Sequence, residues 1–133
     1  MLKSTSFLSF VLVLLISCQG QSQNHGSIAK NIEAKEFNAL IQQLDNEQLL
    51  DVRTPEEVSN GYIKGALNID FYDDEFKNRL EVLDINKPVL VYCAAGGRSG
   101  NAMSIMKQKG FKEVYNLKGG FGAWEDAKLE YVK

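Results

Sequence analysis

Pro88-Val89-Leu90-Val91-Tyr92-Cys93-Ala94-Ala95-Gly96-Gly97-Arg98-Ser99 is the stretch that decides the fold. Val89 to Tyr92 is apolar on both faces, the pattern of a strand buried between two layers, and Pro88 leads it in. A glycine-rich turn follows, and then Ser99 to Lys109 reads as a helix. Gly110 stops that helix, and Phe111 is placed to fold back on its last turn. A buried strand feeding straight into a helix belongs to an α/β protein.

The same alternation continues on both sides. Phe37, Leu40, Ile41 and Leu44 recur at helical spacing, so Glu33–Leu44 is predicted to be an amphipathic helix. Gln48 to Val52 is a short apolar run that predicts a buried strand ending at Asp51. Thr54-Pro55-Glu56-Glu57 is a helix start, in which Thr54 caps, Pro55 takes the first helical position and Glu57 completes a capping box. Further strands are expected at Ala66–Ile69 and Val114–Leu117, with helices at Phe76–Leu83 and from Gly119-Gly120 through Trp124. Strand and helix in turn imply a mostly parallel central sheet with helices on both faces, in three layers.

The N-terminus has a different character. Lys3 precedes Phe7–Ile16, a nearly unbroken apolar run. Ten residues are too few for a bilayer core, which needs about twenty, but they suit the apolar region of a secretory signal. Leu15-Ile16-Ser17-Cys18 resembles the lipobox of bacterial lipoproteins, with an ordinary cleavage site as the competing reading. The expected organisation is a signal peptide at 1–17, a lipidated Cys18 with a flexible tether over 18–31, and one domain over 32–133. Gln19 to Ser27 lacks the apolar surface that would offset its ordering, and about nine residues of coil reach roughly 15–18 Å. The expected location is the bacterial cell envelope, on a lipid anchor, with the domain in the periplasm.

The bulk numbers narrow the function. A chain of 133 residues has room for one domain. A net charge of −2, with no run of Lys or Arg, argues against nucleic acid, which needs a basic stripe. No spacing of His, Cys, Asp or Glu suggests a metal site, and His25 sits alone in the tether. Of the two cysteines, lipidation of Cys18 leaves Cys93 as a lone thiol, either buried and inert or exposed and reactive.

The loop after Tyr92 favours reactivity. Ala94, Ala95, Gly96 and Gly97 let the backbone curl closely, so that successive N–H groups can point at one atom. The open N–H groups of the following helix add a positive field, and Arg98 adds a full charge. Each effect favours a thiolate at Cys93 and an anion attached to it.

This chain resembles the rhodanese domains. Cys93-Ala94-Ala95-Gly96-Gly97-Arg98-Ser99 is similar to their active-site loop. Asp51-Val52-Arg53, with Pro55, Glu57 and Gly61-Tyr62-Ile63-Lys64-Gly65-Ala66-Leu67-Asn68-Ile69, is similar to a second signature, and Gly119-Gly120-Phe121-Gly122-Ala123-Trp124 to the closing one. The resemblance implies a sulfurtransferase in which Cys93 accepts sulfane sulfur as a persulfide, with residues 94–99 binding the donor and no cofactor. It implies as partners a small sulfur-donor anion and a thiol acceptor, for a chain expected to be monomeric. Tyr62 stands in place of the family's usual histidine, and Ala94 where many members carry an arginine that helps bind anionic donors. Asp51 and Arg53 are expected to form an ion pair or loop brace, and Phe121 and Trp124 to fill the core. Two alternatives stay open: a non-catalytic binding module, and phosphatase or arsenate-reductase chemistry. The second has its arginine one residue further from the cysteine than the five-residue step from Cys93 to Arg98.

Overall fold

The computed structural model describes residues 26–133. Within them the elements run β1 (Ile28–Ile32), α1 (Ala34–Gln43), β2 (Gln48–Asp51), α2 (Pro55–Ser59), β3 (Leu67–Asn68) and α3 (Phe76–Arg79). A 3₁₀ turn (Leu80–Val82), β4 (Val89–Tyr92), α4 (Gly97–Gln108), β5 (Glu113–Leu117) and α5 (Gly120–Asp126) complete the chain. The five strands form one sheet in the order β1-β5-β4-β2-β3, and every pairing is parallel.

Alternation along the central strand β4 explains why helices cover both faces. Val89 and Val91 point into one core, with Leu50, Phe76, Leu80, Ala102 and Met106. Leu90 and Tyr92 point into the other, with Phe37, Leu117, Phe121 and Trp124. So α3 and α4 lie on one side and α1 and α5 on the other. All four β4 residues are fully buried, as a strand with apolar residues on both faces must be.

Three elements differ from the sequence expectation. Residues 28–31, assigned to the tether, form most of β1 and pair with β5 from Ile28↔Glu113 to Ile32↔Leu117. Only Ile32 of this edge strand is fully buried, so it lacks the apolar alternation that marks a strand. Hydrogen bonding to β5 is what makes it one. The helix expected over Phe76–Leu83 tightens after Arg79 into the 3₁₀ turn. That tightening brings Leu83 beneath Leu80, since residues three apart eclipse in a 3₁₀ helix, and both are buried. Finally, α4 begins at Gly97 instead of Ser99, which puts Arg98 and Ser99 inside its first turn.

The capping box at α2 forms as the sequence implied. Glu57 N–H donates to Thr54 Oγ1 at 3.3 Å, and Thr54 N–H donates to Glu57 Oε2 at 2.9 Å. After α5 the chain returns to Tyr62, whose N–H and carbonyl both pair antiparallel with Val132 at 2.9 Å. Tyr62 therefore ties down the C-terminal segment through its backbone. Among the described residues no helix is long and apolar enough to cross a membrane. Cys18, the apolar run before it and His25 lie outside the described residues.

Candidate active site

The carboxyl end of β4 delivers Cys93 to the edge of the sheet, where loops of a parallel sheet gather. Gly96 then caps α4 with φ at +101°, a left-handed conformation that glycine adopts without strain. This turn swings the backbone round the sulfur. Gly96 N–H donates to Cys93 Sγ at 3.1 Å, and the Ser99 hydroxyl donates to it at 3.3 Å. The N–H groups of Ser99 and Ala95 also act on the sulfur, outside full hydrogen-bond geometry. Burial pushes the Cys93 thiol up, but the Ser99 hydroxyl and the surrounding N–H groups outweigh it and hold the thiol below its ordinary value. Sγ thus sits in a ring of donors, the arrangement that stabilises a thiolate and an anion built on it.

The ring needs its carbonyls turned away from the sulfur, and α5 does that. Phe121 N–H donates to the Cys93 carbonyl at 2.7 Å, and Gly122 N–H to the Ala94 carbonyl at 3.1 Å. The fit is close: a Cβ on Gly120 would stand 2.5 Å from the Cys93 carbonyl oxygen, and φ there is +61°. On the far side, Asn116 Nδ2 reaches the Gly96 carbonyl at 3.3 Å and Asn31 Oδ1 at 2.8 Å. The sequence reading missed both clamps. The consecutive glycines at 119–120 and an asparagine within an apolar strand were the available signals.

Asp51 and Arg53 form a buried pair at the carboxyl end of β2. Arg53 Nη2 lies 2.7 Å from Asp51 Oδ2, and Arg53 Nε lies 3.0 Å from Oδ1. Arg53 Nη2 also donates to the Gly61 carbonyl at 2.7 Å. The guanidinium lies 4.2 Å from the Phe121 ring centre and 5.4 Å from that of Tyr92. The pair therefore braces Phe121, the residue whose N–H holds the Cys93 carbonyl. It does not touch the sulfur.

Arg98, expected to add a positive charge at the loop, is paired with a carboxylate. Its Nη1 and Nη2 donate to Glu57 Oε2 and Oε1 at 2.8 and 2.7 Å. The guanidinium lies over the Tyr72 ring at 5.4 Å. The hydrogen bonds from Arg98 and Thr54 hold the Glu57 carboxyl down at about 2. Arg98 is still near enough to feel the charge of Cys93, but its fork belongs to Glu57. Among the described residues, no cluster of three or more His, Cys, Asp or Glu side chains is placed to hold a metal ion.

The family model for the rhodanese-like domain matches residues 33–127. The chain belongs to the rhodanese-like domain family. It is 36% identical to an uncharacterized protein of Bacillus subtilis over 118 residues, covering 89% of this chain and 86% of that one. It is 34% identical to the thiosulfate sulfurtransferase GlpE of Shewanella oneidensis, covering 68% of this chain and 89% of that one. A rhodanese-related protein of Thermoplasma volcanium superposes with a TM-score of 0.68 at 29% identity, covering 77% of this chain and 97% of that one. The rhodanese-like domain is thus nearly the whole described chain, and Cys93 lies within the matched region.

Proposed function

We propose that this rhodanese-like protein is a sulfurtransferase that carries sulfane sulfur as a persulfide on Cys93. The observation that carries this reading is the sulfur's setting, with Gly96 N–H and the Ser99 hydroxyl donating to Sγ and a thiol held below its ordinary value. A thiolate is the nucleophile in sulfur exchange. It attacks the outer sulfur of a donor, and the donor's S–S bond breaks with its electron pair leaving on the remainder. The ring that held the thiolate then faces the terminal sulfur of the persulfide, until a thiol or cyanide acceptor takes that sulfur and restores Cys93. Relatives named as sulfurtransferases support this activity at the level of the family.

The test is intact mass after treatment with a sulfane donor such as polysulfide. Wild type should gain sulfur mass and lose it again to a thiol, while Cys93→Ser should gain none and show no turnover. One observation favours a non-catalytic binding module instead: Cys93 is only 1% exposed, the setting of an inert core thiol. A wild-type thiol with an unshifted pKa, taking sulfur from no donor, would favour that second reading.

A further inference from the structure

The loop from Cys93 to Ser99 contains a single basic residue, Arg98. Both of its terminal nitrogens face Glu57, in the two-pronged geometry by which a guanidinium grips an oxyanion. The carboxylate therefore occupies the positions that the oxygens of a sulfonate would need. Glu57 is itself held in place: its Oε2 accepts from the Thr54 N–H at 2.9 Å and the Thr54 hydroxyl at 3.1 Å. Swinging it off Arg98 would dismantle the cap of α2. The pair is only partly exposed, 17% for Arg98 and 33% for Glu57, so solvent screens it incompletely. Arg98, the charge near enough to feel Cys93, is thus already neutralised by Glu57.

Donors differ in what they ask of that region. Thiosulfate brings two negative charges to a Cys93 thiolate, and transfer gives a persulfide anion and sulfite, so three negative charges share the site throughout. An alkyl hydropersulfide is electrophilic in its neutral form, which brings none. The Cys93 thiolate bonds to its outer sulfur, the donor's S–S electron pair leaves as an alkyl thiolate, and the outer sulfur keeps its proton. One negative charge is then present before and after.

We infer that Glu57 sets the donor class, excluding dianionic thiosulfate by occupying Arg98 and directing the site to alkyl persulfides. This rests on Cys93 being the sulfur carrier.

The test compares kcat/KM for thiosulfate and for 2-hydroxyethyl hydropersulfide in wild type and Glu57→Gln. A glutamine oxygen can still accept from Thr54 N–H, so the cap survives while the charge goes. Wild type should prefer the persulfide, and its thiosulfate kcat/KM should vary little with salt. In Glu57→Gln the thiosulfate-to-persulfide ratio should rise about tenfold, mainly through a lower KM for thiosulfate, and the gain should fade with added salt. Thr54→Ala, which weakens the cap and keeps the carboxylate, should leave the ratio where it was. An unchanged ratio in folded Glu57→Gln overturns the inference, as does an equal rise in Thr54→Ala. A wild type that prefers thiosulfate, or whose thiosulfate rate falls steeply with salt, overturns it without any variant. No sulfur mass on wild-type Cys93 from either donor would instead remove the carrier reading on which it stands.

Discussion

Burial alone drives a thiol's ionisation to higher pH, because the charged form loses its water. Cys93 is buried and yet shifted the other way, so the donors around it outweigh the desolvation. Ser99 is the one side chain among those donors, and its hydroxyl bond to Sγ can be removed without touching the backbone ring. Ser99→Ala should therefore raise the Cys93 pKa. Alkylation by iodoacetamide follows the thiolate fraction, so its rise with pH should move to higher pH in Ser99→Ala. A profile that stays in place would mean that the backbone N–H groups do all the work. Ser99 was legible in the sequence only as part of a loop. Its aim at the sulfur depends on α4 starting at Gly97, which places Ser99 within the first turn.

At the scale of elements, two helix starts shape the site. The start of α2 was readable because a capping box is a local code, complete within Thr54 to Glu57. Thr54→Ala should cost about 1 kcal/mol in denaturant unfolding, the usual cost of a lost cap. Glu57 adds a pH dependence through the same cap. Its folded pKa, about 2, lies below its ordinary value of 4.5. A depressed carboxylate stabilises the fold above its unfolded pKa, and that stabilisation is lost as pH falls from about 4.5 towards 2. Glu57→Gln should flatten this part of the acid-unfolding curve. The start of α5 was only half readable. Paired glycines announced a turn, but the reason for Gly120 is the Cys93 carbonyl behind it. Gly120→Ala should combine that clash with backbone strain, costing about 1–3 kcal/mol or more. It should also lower the sulfur-transfer rate by shifting the loop. Full stability and full activity in this variant would show that the clamp is slack.

At the scale of the whole molecule, we propose that a lipid on Cys18 anchors the folded domain. Cys18→Ser should leave the protein as uncleaved precursor or move it out of the membrane fraction, read by intact mass and fractionation. A soluble wild-type protein whose N-terminus is not Cys18 would refute the anchor. Within the domain, the sequence by itself determined the alternation of strand and helix, the two-sided burial of β4, the cap at Thr54 and the position of the Cys93 loop. Periodicity, capping and glycine turns act over a few residues, so they are written locally. Only the tertiary structure decided that residues 28–32 are a strand, because this edge segment buries little and owes its form to β5, far along the chain. Only the tertiary structure decided that Arg98 spends its fork on Glu57, 41 positions away. In a parallel sheet, strands that are distant in sequence become neighbours, and the loops at their carboxyl ends meet there. A charge or carbonyl in one loop therefore finds its partner through the strand order β1-β5-β4-β2-β3, which local patterning does not encode.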